Sequence, residues 1–253
     1  VLPFSTFSST RSVSYLETVN SGTPTKIEDI PSIVQIEQGP IWVQTCVGSL
    51  VTSRHVLSAA HCTYGPLFTP RLRRVRAGAV ERGRGGEVMR VDSVINHPSF
   101  KLSNGFDNDI SIIILTASFT FSSTIQQVAI VNTGITFPAN VPVTIAGWGR
   151  TAQDAFWADR ELHSVSVHSV SEYYCRNKYA SLPVPVTITD NMICTGIAGA
   201  DGHNLGLRDG GAPVFYDGIL VGLVSFGSPY GDSYPLVATA VSSFTQWILD
   251  TVG

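Results

Sequence analysis

The sequence contains few charged residues: Asp, Glu, Lys and Arg make up 14% of its 253 residues, against 43% hydrophobic residues. This composition excludes an intrinsically disordered chain and favours a compact, ordered body. The net charge of −3 gives no indication of the excess of basic residues that nucleic-acid binding requires. No apolar run approaches the roughly 18 residues that would span a bilayer. Neither a nucleic-acid partner nor a membrane partner is therefore expected.

Cysteine is also scarce, with four residues in the chain, and none of them lies in a Cys-x-x-Cys pair or in a Cys/His spacing typical of a metal site. No metal and no other cofactor is therefore expected. Disulfides are the better interpretation, and the sequence alone leaves their pairing open. Disulfides imply an oxidising compartment, which is consistent with a secreted, extracellular protein.

The chain does contain a series of short β-branched runs separated by turn residues. Strands at this spacing, with few helical stretches, predict an all-β barrel or sandwich. One helix is expected at about 242–251, capped by Ser242 or Ser243. Residues 116–140 have fewer strand-like runs and are expected to connect two halves. The predicted strands include 47–51, 55–58, 75–77, 88–95, 110–115, 141–145, 162–167, 192–194, 219–225 and 236–240.

The most informative stretch is Leu207-Arg208-Asp209-Gly210-Gly211-Ala212-Pro213, which two apolar runs joined by Asp217-Gly218 follow. This pattern predicts a β-hairpin entered through a glycine-rich bend. Three further motifs accompany it: Ser58-Ala59-Ala60-His61-Cys62, Asp107-Asn108-Asp109-Ile110-Ser111 and Gly147-Trp148-Gly149. Together they resemble the chymotrypsin-like (S1 family) serine proteases over about residues 19 to 250.

The resemblance implies a domain at 19–253 with two six-stranded antiparallel β-barrels and an active cleft between them. Barrel 1 is expected at about 30–125 and barrel 2 at about 140–240, before the C-terminal helix. The resemblance also pairs Cys46 with Cys62 and Cys175 with Cys194.

The catalytic residues of the family carry over position by position. His61 matches the general base, and Asp109 matches the buried carboxylate that orients it. The nucleophilic serine falls on Gly210, which has no side chain to attack a carbonyl group. His61 and Asp109 are therefore expected to persist as a structural remnant, with Ser225 adding a hydrogen bond.

Other positions also depart from the family. Arg208 stands where the family has a glycine, and its side chain disfavours the backbone conformation that an oxyanion hole with Gly210 requires. The specificity pocket maps to Asn204, Ser225, Gly227 and Leu236, and the Leu236 side chain is expected to fill it. In addition, Gly206 stands where one cysteine of the disulfide that braces this pocket is expected.

Residues 1–18 are expected to form a leader or propeptide-like segment. The family is activated by a cut after Arg or Lys, but here Thr18 precedes Val19, so no trypsin-like cut is offered. Asp209 would pair with the new amine in the family and is expected to lack that partner. Gly22-Thr23-Pro24 and the residues after it resemble insect digestive trypsins, especially those of moths (lepidopteran type).

These features predict a secreted, catalytically inactive serine protease homologue that acts by binding protein partners, for example as a cascade cofactor, an inhibitor decoy, or a defence or storage protein. One alternative is an active hydrolase with Ser225 as a displaced nucleophile. Another is a small-ligand carrier that uses the former cleft. The basic run at 71–76 alternates with apolar residues and predicts a half-exposed strand, with an anion-binding or partner-docking face as its alternative.

Overall fold

The computed structural model describes residues 22–66, 68–149, 160–197, 209–228 and 234–253. Within these ranges the chain forms thirteen β-strands and two α-helices. The expectations for the leader at 1–18 and for Asn204, Gly206 and Arg208 lie outside the described residues. None of the described helices is long and apolar enough to cross a membrane.

Barrel 1 consists of six strands: β2 (Ile33–Gln38), β3 (Val43–Leu50), β4 (His55–Ser58), β5 (Arg73–Ala77), β6 (Glu87–Asn96) and β7 (Ser111–Leu115). They are antiparallel and close in the order β2-β3-β4-β7-β6-β5. The strands alternate inward and outward side chains, and the inward ones (Val34, Ile36, Leu50, Val56, Val75 and Leu115) form a hydrophobic core.

Barrel 2 repeats this plan in the second half of the chain. Its strands are β8 (Pro142–Gly147), β9 (His163–Val170), β10 (Met192–Ile197), β11 (Pro213–Tyr216), β12 (Ile219–Phe226) and β13 (Pro235–Ala240). They pair in the order β9-β10-β13-β12-β11-β8, and a β8–β9 pairing closes the ring. The short β1 (Thr23–Pro24) adds to β9 at the edge. The expected all-β fold of two six-stranded barrels is confirmed.

The two barrels share one hydrophobic cluster at their interface. It joins Val47, Leu57 and Ile112 of barrel 1 to Val214 and Val224 of barrel 2. Every one of these side chains is at least 96% buried. The shared core fixes the end of β4 and the start of β7 against the turn that enters β11.

The expected C-terminal helix is present as α2 (Thr245–Val252), but the prediction that Ser242 or Ser243 caps it was wrong, since Phe244 is the N-cap and makes no side-chain cap bond. A second helix, α1 (Glu172–Ala180), was not predicted from the sequence. Ser171 caps it by accepting a hydrogen bond from the Tyr174 backbone N–H. It buries only Cys175 and Tyr179, four residues apart, so its apolar periodicity is too weak to separate it from a loop.

The basic run at 71–76 forms a strand from Arg73 onward, as predicted, but the expectation that this strand is half exposed was wrong. Strand β5 buries four of its five residues, and Arg73 and Arg76 are only 7% and 8% exposed. Arg76 is accommodated because its partner Glu37 is fully buried beside it, whereas Arg73 Nε has no hydrogen-bond partner among the described residues. Arg76 Nε donates to Glu37 Oε1 at 2.7 Å, and the Arg73 guanidinium lies 5.1 Å from the Phe68 ring centroid.

Candidate functional site between the two barrels

His61 and Asp109 meet because of the pairing between two strands of barrel 1. His61 lies on the short 3-10 turn Ala60–Cys62, three residues after the end of β4, and Asp109 lies two residues before the start of β7. Strands β4 and β7 are antiparallel, with Ser58 opposite Ser111. The short segment after one strand therefore lies beside the short segment before the other.

Asp109 is fully buried, and its carboxylate accepts three hydrogen bonds. Its Oδ1 accepts from the His61 backbone N–H at 2.8 Å, and its Oδ2 pairs with His61 Nδ1 at 2.7 Å. Ser225 Oγ, at the end of β12, donates to the same Oδ2 at 2.5 Å. The expected hydrogen bond from Ser225 is thus present. An Nδ1–H donated to Asp109 leaves His61 Nε2 able to accept a proton.

Gly210 faces the Nε2 side of the imidazole. A Cβ built on Gly210 would overlap His61 Nε2 and would lie 2.9 Å from His61 Cε1 and 3.2 Å from Cys62 Sγ. The backbone here is fixed, because the Gly210 carbonyl accepts from the Val47 N–H at 2.9 Å. The structure therefore brings together His61, Asp109, Ser225 and Gly210, with His61 Nε2 directed at a backbone that carries no side chain.

Leu236 and Gly227, two predicted walls of the specificity pocket, lie next to each other at the ends of β13 and β12. The Leu236 Cδ1 atom lies 3.8 Å from the position that a Cβ on Gly227 would take. Leu236 is partly buried and packs against the hydrophobic cluster between the barrels. Its isobutyl group therefore occupies the space beside Gly227.

An aromatic wall beside His61 was missed by reasoning from the sequence. The Phe106 ring stands edge-on to the His61 ring with centroids 5.8 Å apart, and it is 5.3 Å from the Phe226 ring. Phe106 has a φ of 66°, a conformation that bulky residues rarely adopt. A single aromatic residue in a loop gives no periodic signal, so only the neighbouring motif at Asp109 could have drawn attention to it.

Asp209 is buried at 1% exposure beneath the Gly147-Trp148-Gly149 turn. Neither of its carboxylate oxygens has a hydrogen-bond partner of good geometry among the described residues. Burial raises the pKa of Asp209 to about 7, although the nearby N–H groups of Trp148 and Gly149 and the charge of Arg82 limit the rise. A Cβ on Gly149 would overlap this carboxyl group, and one on Gly147 would lie 2.6 Å from Oδ1. Both glycines are therefore needed because the Asp209 side chain takes their Cβ space.

The structure contains two disulfides, one of which lies at the site. Cys46 pairs with Cys62 directly beside His61, and Cys175 pairs with Cys194 between α1 and β10. This is the pairing that the resemblance implies. Among the described residues, the one group with ligand atoms close enough to hold a metal is Cys46, His61 and Cys62. Both of its sulfur atoms are bonded to each other, so the group offers a metal no thiolate.

Two antiparallel barrels with a His–Asp pair at their interface define the chymotrypsin-like class of serine protease folds. The family model described as trypsin matches residues 19–248 of this chain. The chain therefore belongs to the trypsin family.

Similar proteins include trypsins from insects. Trypsin, alkaline C of Manduca sexta is 32% identical over 231 residues, which cover 90% of this chain and 88% of the relative. Trypsin beta of Drosophila erecta is 30% identical, with coverage of 90% and 86%. Among solved structures, the scabies mite inactivated protease paralogue S-D1 superposes with a TM-score of 0.82 at 20% identity, over 92% of this chain and 97% of that chain.

Proposed function

We propose that this protein is a secreted, non-catalytic member of the trypsin family that acts by binding other proteins. The observation that carries the proposal is the contact between His61 and Gly210. Hydrolysis through an acyl-enzyme requires a hydroxyl or thiol within hydrogen-bond reach of the general base. The residue that His61 Nε2 faces is a glycine, which offers neither group. The imidazole itself occupies the position that a Cβ of residue 210 would take.

Ser225 is a poor replacement for the missing nucleophile. Its hydroxyl donates to Asp109 Oδ2, the oxygen that also pairs with His61 Nδ1. Ser225 therefore lies on the Asp109 side of the imidazole, whereas the basic nitrogen available for proton transfer is Nε2. A reaction through Ser225 would require the ring to turn over and to break its bond to Asp109. This geometry favours the non-catalytic protein over the alternative of an active hydrolase.

The Leu236 side chain argues against the third candidate, a carrier of small ligands in the former cleft. Its Cδ1 lies at van der Waals distance from the Cβ position of Gly227. Glycines at both positions, 227 and 236, would leave an open pocket there. A ligand would have to displace this side chain from the cluster between the barrels.

Two further observations are in keeping with a secreted binding protein. The two disulfides suit an oxidising, extracellular compartment. The scabies mite neighbour is itself described as an inactivated protease paralogue, so this fold is compatible with loss of catalysis. The proposed roles are those of a cascade cofactor, an inhibitor decoy, or a defence or storage protein, each of which works through a protein surface.

The experiment that tests the absence of catalysis is intact-mass measurement before and after treatment with a broad fluorophosphonate probe. Active trypsin treated in parallel shows that the probe is competent. We expect no mass increase in this protein. A stoichiometric adduct would contradict the proposal, and the Ser225→Ala variant would then show whether Ser225 carries the adduct.

A further inference from the structure

A basic and aromatic surface lies on barrel 1, apart from the residues around His61. It combines the β2–β3 loop with β5 and β6 and the turn before β5. We call it the Trp42 platform and define it by six residues: Ile41, Trp42, Arg71, Leu72, Arg74 and Arg90. Its loop is attached to the turn by the Gly39 N–H, which donates to the Leu72 carbonyl at 2.9 Å.

Trp42 is held in a conformation that its own backbone disfavours. Its φ is 54°, and its ring lies over Gly39, where a Cβ would come within 2.9 Å of Trp42 Cη2. Bulky residues adopt this backbone only when the surroundings compensate for the strain. The compensation here comes from two cations: the guanidinium carbons of Arg74 and Arg90 both lie 4.4 Å from the centroid of the Trp42 ring.

The platform is cationic although the chain as a whole is not. Arg74 and Arg90 stand directly opposite each other on β5 and β6, a pairing that like charges disfavour. The fully buried Glu37 binds Arg74 from beneath, and it also binds Arg76. Within the described part of the chain, Arg90 makes no ion pair with a carboxylate.

The neighbouring charges leave an excess of positive charge. Arg71 and Arg90 are both exposed at this surface. Asp92, exposed on the same strand as Arg90, offsets only one of the charges. An anionic partner would therefore meet at least Arg90 without having to displace an existing carboxylate.

Two large apolar side chains stand among these arginines. Ile41 at the loop tip is 82% exposed, and Leu72 is 44% exposed. A surface that mixes aromatic, aliphatic and arginine side chains is typical of protein recognition. A sulfated polysaccharide would meet the arginines, but it has no large apolar group to cover Ile41 and Leu72.

We propose that the Trp42 platform is the docking surface for an acidic peptide segment of a partner protein, with an apolar side chain of that segment packed on Ile41 and Leu72. This inference rests on the proposed function as a binding protein and names the chemistry of its partner. Carboxylates of the segment pair with Arg90 and Arg71, while Trp42 keeps Arg74 and Arg90 in place.

The test uses the full chain and a fluorescein-labelled peptide of glutamates interspersed with phenylalanines, followed by fluorescence anisotropy. Arg90→Glu is expected to raise Kd about tenfold or more, because it replaces an attraction by a repulsion. Ile41→Ser is expected to raise Kd about threefold or more. Both residues are exposed, so neither change disturbs the core. Lys101→Glu, an exposed change of equal charge outside the platform, is expected to change Kd by less than about twofold.

Four results would overturn the inference. Two are unchanged peptide binding in Arg90→Glu and no binding by the unmodified protein. The other two are equal binding of a peptide whose phenylalanines are replaced by serines and equal binding of heparin, since either would indicate a site for polyanions in general. Fluorophosphonate treatment of the same preparation keeps the two proposals distinct. An adduct contradicts the non-catalytic function whatever the peptide does, whereas weak peptide binding without an adduct contradicts the platform alone.

Discussion

The Nε2 atom of His61 lies where a side chain on Gly210 would begin. Its neighbour Cε1 is 2.9 Å from the same Cβ position, so the whole edge of the imidazole has closed on the glycine. The ring is fixed from behind by Asp109, whose carboxylate holds both the His61 side chain and its backbone N–H. Adding atoms at residue 210 therefore requires His61 to move.

A serine introduced at residue 210 is expected to make the protein less stable without giving it hydrolytic activity. In Gly210→Ser the new Cβ overlaps His61 Nε2, and overpacking of this kind costs about 1–3 kcal/mol of unfolding free energy. The displaced imidazole also loses its alignment with the new hydroxyl. Urea denaturation and fluorophosphonate labelling measure the two effects.

Matched glycine substitutions separate the steric overlap of a new Cβ from the effect of the serine hydroxyl. Gly210→Ala adds the same Cβ without a hydroxyl and is expected to lose as much stability as Gly210→Ser. Gly227→Ala is the control, because among the described residues its Cβ meets only Leu236, at 3.8 Å, and its stability is expected to change by less than about 1 kcal/mol. A stable, fluorophosphonate-reactive Gly210→Ser variant would show that the missing serine was the only obstacle to catalysis.

Asp109 is expected to be important for stability even without catalysis. Asp109→Asn keeps the shape of the side chain but turns one acceptor into a donor that faces existing N–H or O–H groups. Leaving such buried groups unpaired costs roughly 2–4 kcal/mol. The free energy of unfolding from urea denaturation measures this loss.

Ser225→Ala provides the comparison for Asp109→Asn, since it removes one of the three donors and keeps the carboxylate. A loss of about 1 kcal/mol is expected. Equal stability of Asp109→Asn and the unmodified protein would mean that the buried hydrogen bonds around Asp109 contribute nothing to the fold.

Asp209 is expected to make the protein less stable as the pH rises through the weakly acidic range. Its pKa is raised from 3.8 to about 7 by burial, so the folded protein binds this proton more tightly than the unfolded chain does. Stability from this group is therefore fully present below 3.8 and is lost as the pH rises to about 7, by up to about 4 kcal/mol. Urea denaturation at about pH 5 and about pH 8 measures the change.

Asp209→Asn removes the titrating group and keeps its shape. This variant is expected to gain stability relative to the unmodified protein at about pH 8, and to gain less at about pH 5. Asp92→Asn, which removes an exposed carboxyl instead of a buried one, is the matched control. If Asp209→Asn and the unmodified protein had parallel pH profiles, the carboxyl would not titrate in this range.

The contact between Gly149 and Asp209 can be measured by a double-mutant cycle. Gly149→Ala is expected to destabilise the protein by about 2 kcal/mol or more, because the new Cβ overlaps the buried carboxyl group. In the Asp209→Ala background the same substitution is expected to cost at least about 1 kcal/mol less. Additive effects in the cycle would show that the glycine is required for another reason.

The all-β class could be predicted from the sequence because short β-branched runs recur between turn residues. The arrangement as two barrels followed only from the resemblance of the motifs to the S1 family. His61 and Asp109 came together as expected, since strand pairing alone places them side by side. Helix α1 was not predicted, because the two residues it buries give almost no amphipathic pattern.

The remaining details depend on contacts between residues far apart in the chain. No local pattern reveals that a carboxyl from residue 209 takes the Cβ space of Gly149, or that Arg73 and Arg76 are buried. The burial of Arg76 depends on Glu37, which is 39 residues earlier in the chain. Alternation of charged and apolar residues predicts which side chains share a face of the strand. It cannot show whether a residue far away in the chain will bury the charged face by forming an ion pair with it.

The bonds of Asp109 cross from one barrel to the other. Its carboxylate holds His61 from barrel 1 and Ser225 from barrel 2, and its backbone carbonyl accepts from Thr239 Oγ1 at 2.8 Å. Asp109 thus links the two barrels through hydrogen bonds, whether or not a reaction takes place beside it. Removing Asp109 would therefore loosen both barrels at once, which is a structural reason for this carboxylate that is independent of proteolysis.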